Sequence, residues 1–293
     1  MKVAITGSTG FIGRYVLRRL LDLELDVFAV GLSAPQDPRL RTFVQSNLLR
    51  EENFQWIDEY RPSHIIHLAW YAKHKKYWTS PLNLDWLNAT YRLASKFSRA
   101  GGTRIVVAGT CAEYDWNYGY CKEQLTPLIP STLYGLAKKS TFQLLQQISK
   151  ESDLSVGWGR IFLPFGEGEN PKRLIPSLVN AMSGDIDPFA VDISQWRDFL
   201  AVEDTANALV HALDFPSLED FNISSGKPTQ LLSIIQLIAD FLDKDSSIIL
   251  SKSKPDSLEH NFLFGDNSRL LNTGWTPKLD LYEALEKYVK VLS

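Results

Sequence analysis

The chain has 293 residues, 44% hydrophobic and 22% charged, which is the composition of a globular protein with room for a substantial core. Its formal charge of -3 excludes the strongly basic surface of a nucleic-acid or anionic-membrane binder, so neither partner is expected. Two cysteines, Cys111 and Cys121, exclude a disulfide framework and a four-ligand zinc site, and no metal is expected.

The opening MKVAITG enters an apolar strand at once and leaves no room for a cleavable leader, and no apolar run reaches bilayer length. A reducing, cytoplasmic setting is therefore expected. Val3 to Thr6 reads as the first strand and Ile12 to Asp22 as the first helix. Strands follow at Val27 to Val30, Phe43 to Gln45, Ile65 to Leu68, Ile105 to Ala108 and Val156 to Phe162. Helical spacing separates the later ones, at Leu84 to Arg99 and Thr132 to Ser149. This alternation predicts an α/β fold, a doubly wound parallel sheet with ligands at the carboxyl ends of its strands. From about Gly166 the rhythm breaks into shorter segments, with helices near Ile175 to Met182, Val202 to Leu213, Leu231 to Leu242 and Tyr282 to Val291. A second, smaller α/β substructure is expected there.

Between the first strand and first helix stands Thr6-Gly7-Ser8-Thr9-Gly10-Phe11-Ile12-Gly13. Gly7 permits the tight turn, Gly10 admits a pyrophosphate to the backbone, and Gly13 lets the helix pack close to the sheet. The helix N-terminus presents free N–H groups to the anion. The second strand ends Val30-Gly31-Leu32-Ser33, without the carboxylate that accepts from an unphosphorylated ribose, while Arg14, Arg39 and Arg41 stand near in sequence. That favours NADP, with NAD as the alternative. Further on, Tyr134 and Lys138 are four residues apart and share a helix face. A neighbouring ammonium lowers a phenol's pKa, which readies the Tyr for proton transfer to and from a carbonyl/alcohol pair.

With these motifs the sequence resembles the extended short-chain dehydrogenase/reductase family, in its nucleotide-sugar epimerase, dehydratase and reductase branch. The markers are TGSTGFIG, HLAW, AGTCAEY, YGLAK and WRDFLAVEDTANA, and the resemblance spans essentially the whole chain. It implies a dinucleotide-binding Rossmann domain at 1–165, to which a helix near 202–214 returns, and a nucleotide-sugar-binding domain at 166–293. It implies a catalytic trio of Thr110, Tyr134 and Lys138, with Lys138 also holding the nicotinamide ribose. Gly7, Gly10, Phe11, Ile12, Gly13 and Ala69 are implied along the cofactor, and Arg197 and Arg173 on the substrate's diphosphate. The aromatic and basic stretch Tyr71 to Trp78, with Lys73 and His74, is placed to close over the sugar. A homodimer paired through the helices at 84–99 and 132–149 is also implied.

Departures from the family pattern narrow the chemistry. The two positions after Thr110, where 4,6-dehydratases carry acids, hold Cys111 and Ala112, which argues against dehydration. The epimerase-reductase cysteine slot is Ala112, with Cys111 one place early. Leu163 takes the place of a sugar-diphosphate asparagine. The reading that remains is an NADPH-dependent reductase of a keto-deoxy nucleotide sugar. A nucleotide-sugar epimerase with retained NAD is the alternative, and a dinucleotide sensor without chemistry is a third class that intact Tyr134 and Lys138 argue against.

Overall fold

The computed structural model describes residues 1–253 and 261–293. The first half alternates strand and helix: β1 (Lys2–Thr6), α1 (Phe11–Asp22), β2 (Asp26–Gly31), β3 (Thr42–Gln45), α2 (Gln55–Tyr60), β4 (His64–His67), α3 (Leu82–Arg99), β5 (Arg104–Thr110), β6 (Tyr120–Cys121), α4 (Leu133–Lys150) and β7 (Ser155–Ile161). The remainder comprises β8 (Leu163–Phe165), α5 (Leu174–Ser183), β9 (Trp196–Arg197), β10 (Phe199–Ala201), α6 (Val202–His211), β11 (Asp220–Ile223), β12 (Thr229–Gln230), α7 (Leu231–Leu242), α8 (Ser247–Leu250), β13 (Phe262–Gly265), α9 (Ser268–Leu271) and α10 (Leu281–Leu292).

Seven parallel strands form the main sheet in the order β11-β7-β5-β4-β1-β2-β3. The chain winds outward one way from β1 and the other way from β4, so the switch point lies between these two strands, where the carboxyl ends open a crevice. In register, Thr6 faces His67, which brings the turn after β1 beside the segment after β4. The central strands read as continuous apolar runs because both faces are covered. Val16, Leu20, Val202 and Leu209, from α1 and α6, pack with Ile5 on one face. Phe28, Trp56, Leu93, Phe97, Phe142 and Leu145, from β2, α2, α3 and α4, fill the other.

The chain leaves this sheet after β7 and returns to it with α6 and β11. In between and afterwards, Leu178, Ile234, Ile238, Leu285 and Tyr288 build a separate core from α5, α7 and α10. A small sheet, β12-β9-β13-β6, connects the two cores and carries Arg197. Several short elements were not anticipated from the sequence, α2 and β11 among them. The helix α2, QWIDEY, is too short to display a period and is held by buried Trp56 and Ile57. The strand β11 contains a buried asparagine, Asn222, whose amide donates to the carbonyls of Cys121 and Asp266 at 2.9 Å each.

Candidate active site

A cavity of about 1060 Å³ opens at the switch point and extends from the turn after β1 to β9. Its dinucleotide end is built by glycines. Gly7 has φ +72°, and a Cβ there would sit 2.7 Å from the Ala69 nitrogen; a Cβ on Gly13 would collide with the Gly7 carbonyl. The turn closes with Gly10 N donating to Gly7 O at 3.0 Å. The α1 N-cap is Gly10, with no side-chain cap and no acid in the first turn, so the helix end presents its N–H groups to a ligand. Gly7, Gly10, Phe11, Ile12, Gly13, Ala69 and Lys138 all line the cavity. This cradle fits the pyrophosphate of a dinucleotide.

Gly31, Leu32, Ser33, Ser46 and Asn47 line the far end. None of Arg14, Arg39 and Arg41 is among the lining residues, contrary to the expectation from their nearness in sequence. Arg39 and Arg41 precede β3, at the amino edge of the parallel sheet, and Arg39 is paired with Asp22 at 2.7 Å and Asp37 at 2.8 Å. Arg14 instead lies against the loop at Gly168, where a Cβ would meet its guanidinium.

Thr110 ends β5, and Tyr134 and Lys138 project from the first turns of α4; all three line the cavity. The Thr110 hydroxyl accepts from Ala112 N at 3.2 Å, while Glu113 accepts from Thr110 N at 2.8 Å, a reciprocal cap that fixes the turn. Tyr134 N donates to Trp78 O at 3.0 Å, which ties α4 to the segment after β4. Burial raises the Tyr134 pKa; Tyr77 raises it further, and a hydrogen bond with Thr110 opposes both. The expected lowering by Lys138 is not found. Lys138 donates to Ala108 O at 2.8 Å and lies 3.7 Å from the centre of the Trp70 ring. Burial lowers its pKa to about 7, with Glu113 opposing.

An aromatic wall surrounds Tyr134, which sequence reasoning recognised only as an aromatic stretch. The Tyr77 and Trp78 rings stand edge-on to Tyr134 at 4.8 and 5.8 Å, and Trp70 does so at 6.5 Å. The signal was HLAW, whose closing Trp the sequence reading passed over in favour of Ala69. Behind the site, Glu113 receives Trp158 Nε1 at 3.0 Å and pairs with Arg160 at 2.9 Å, both partners fully buried. Arg160 continues to Asp220 at 2.8 Å, which also pairs with Arg269.

At the other end, Arg197 and Arg173 line the cavity together with His74, Lys75 and Lys172. Arg197 Nη2 donates to Gln195 at 2.6 Å, and burial lowers its pKa. Arg173 lies 3.3 Å from Glu169, whose carboxyl burial lifts to about 7. Leu163 lines the same cavity. No aspartate or glutamate is among the described residues that line the cavity. Nor do the described residues contain a group of His, Cys, Asp and Glu that could hold a metal, or a helix long and apolar enough to cross a membrane.

Comparison with known proteins places this arrangement among relatives. The chain is 25% identical to a dTDP-4-dehydro-6-deoxyglucose reductase of Escherichia coli over 98% of its own length and 96% of the relative's. It is 22% identical to a putative UDP-glucose 4-epimerase of Methanocaldococcus jannaschii, covering 98% and 97% of the two chains. Among solved structures, MoeE5 in complex with UDP-glucose and NAD superposes with a TM-score of 0.84 at 24% identity, over 99% of this chain and 98% of that one. The family model for NAD dependent epimerases and dehydratases matches residues 3–224, which contain the glycine cradle, Thr110, Tyr134, Lys138 and Arg197. With its seven-stranded Rossmann sheet and this site, the chain belongs to the NAD dependent epimerase/dehydratase family.

Proposed function

We propose that the protein is an oxidoreductase of a nucleotide-activated sugar that reduces a keto group, with Tyr134 as the proton donor. The observation that carries this reading is a half-buried Tyr134 beside Thr110, in the same cavity as the glycine cradle, with its pKa raised so that it keeps its proton. A phenol that keeps its proton suits donation to an oxygen that is gaining charge, whereas starting from an alcohol requires a base. The dinucleotide, when bound, supplies the hydride. Thr110 donates its hydroxyl hydrogen to the carbonyl oxygen and polarises it. Tyr134 then gives its proton to the same oxygen, while Lys138, on the same helix face, is placed to hold the dinucleotide. Arg197 and Arg173 hold the diphosphate, for which guanidinium geometry is well matched. The aromatic wall excludes water from Tyr134 and offers flat faces to a deoxygenated sugar.

Among the described residues, neither a carboxylate nor a cation lines the end of the cavity at Gly31 to Ser33. The missing carboxylate is what favours NADP, but no arginine replaces it there. We therefore expect less than about tenfold discrimination between NADH and NADPH, since neither ribose state has a charged partner. Titration calorimetry with both decides it. A homodimer is also proposed: α3 and α4 leave Leu84, Tyr91, Leu136 and Leu144 exposed, and sedimentation as a monomer at micromolar concentration would remove the idea.

Incubation with a panel of keto-sugar nucleotides and NADH or NADPH tests the function through loss of the reduced-nicotinamide absorbance. Interconversion of sugar epimers without net loss of that absorbance would put epimerisation in its place. An unchanged phenotype and unchanged turnover in Tyr134→Phe would favour a dinucleotide sensor.

A further inference from the structure

Lys138 lies between two indoles. Its Nζ is 3.7 Å from the centre of the Trp70 ring and 5.9 Å from that of Trp158. Each indole is fixed through its own N–H, Trp70 Nε1 donating to Asn83 Oδ1 at 2.9 Å and Trp158 Nε1 to Glu113 at 3.0 Å. Asn83 is fully buried on α3 and donates its amide hydrogens to Tyr77 O at 2.7 Å and Ser80 O at 2.9 Å. One side chain thus sets the Trp70 ring and ties down the loop that presents Tyr77 and Trp78. Trp70 also stacks on Trp86, with ring centres 6.3 Å apart and planes 27° from parallel.

A buried ammonium needs compensation, and little of it is ionic here. From β4, His67 faces Lys138 as a neutral imidazole, its nitrogens bonded to Thr6 at 2.7 Å and Thr90 at 3.0 Å. From the turn after β5 comes Glu113, whose oxygens are shared among Thr110 N, Trp158 Nε1 and Arg160. From β5 comes the Ala108 carbonyl, and from the same face of α4 comes Tyr134, protonated. The face of an indole is the strongest π partner for a cation. Trp70 offers it at contact distance.

We propose that Trp70 is a positioning residue that keeps Lys138 in its charged form and aimed along the cavity, and that Asn83 holds Trp70 in place to do so. This rests on the reading of Tyr134 and Lys138 as the proton-transfer pair. The contribution is made through Lys138, so it belongs in a pH profile rather than in a simple loss of activity.

The test measures NADH binding to the full chain by titration calorimetry from mildly acidic to alkaline pH, in parallel with a pH profile of turnover. In the wild type, affinity falls as pH rises through the Lys138 ionisation, because the ammonium is the form that holds the bound dinucleotide. Trp70→Leu is expected to move that midpoint down by about one pH unit, with Trp70→Phe in between and Asn83→Ala in the same direction. Lys138→Met is expected to remove the inflection. A Trp70→Leu midpoint equal to the wild type's, with the inflection lost in Lys138→Met, overturns the role of Trp70 and leaves the catalytic reading standing. An inflection and turnover that survive in Lys138→Met overturn both. Should Trp70→Leu fail to fold, Trp70→Phe decides: an unchanged midpoint there refutes the proposal.

Discussion

Glu113 illustrates how much a single side chain can be asked to hold. Its carboxylate accepts from the backbone of Thr110 and from Trp158, and pairs with Arg160, with both charges fully buried. Taking away Glu113 leaves Arg160, buried in a low-dielectric interior, with Asp220 as its remaining ion-pair partner and its Nε unpaired, which costs more than the lost pair itself contributes. Glu113→Gln keeps the shape but not the charge and is expected to destabilise the fold by about 3–5 kcal/mol, read from urea unfolding. Tyr134→Phe is the opposite kind of change, since it removes one hydroxyl and leaves the packing of the ring against Tyr77 and Trp78. Turnover is expected to fall ~10²–10⁴-fold with thermal stability nearly unchanged, measured by steady-state kinetics beside a melting curve.

Elements carry the positions that residues alone do not explain. The first strand, the glycine turn and α1 work as one unit because Gly13 must approach Gly7 more closely than any Cβ allows. Gly13→Ala is expected to weaken NADH binding by at least ~10²-fold and to lower the melting temperature, with calorimetry and thermal unfolding as the measures. This unit was legible in the sequence because local rules dictate it: an apolar run, a turn that needs glycine, an amphipathic helix. The same holds for Tyr134 and Lys138, whose spacing forces a shared helix face. What spacing could not supply was the partner each side chain finds across the fold. Lys138 bonds to β5 and the Trp70 ring, not to Tyr134, because burial pulls the ammonium toward a carbonyl and an aromatic face. Glu113 stands outside the cavity lining, and from there it braces the turn that carries Thr110. The strand β11 was hidden because Asn222, a poor strand former, is buried by hydrogen bonds to residues 101 and 44 positions distant.

At the scale of the molecule, stability should follow the buried groups whose protonation differs between folded and unfolded chains. His67 is fully enclosed and its pKa is lowered to about 3, so between that value and the ordinary imidazole range the unfolded chain binds the extra proton. Its share of stability is complete above the unfolded pKa and is lost as pH falls, by about 2 kcal/mol at pH ~5. Glu169 and Asp198, with pKa values raised to about 7 and about 6, work in the opposite direction as pH falls. The difference between the wild-type and His67→Gln unfolding curves across pH isolates the imidazole; parallel curves would remove the assignment.

No carboxylate among the described residues lines the cavity, and this bears on how fast ligands arrive. The molecule carries a formal charge of -3, yet Lys75, Lys172, Arg173 and Arg197 gather around one opening. An anion approaching from most directions meets weak repulsion, and at the mouth it meets a local positive field that draws it inward. That field reaches ~30 Å at 0.01 M salt and only ~8 Å at physiological ionic strength. Capture of a doubly charged nucleotide diphosphate should therefore slow steeply as salt is added, while its departure from the aromatic interior changes little.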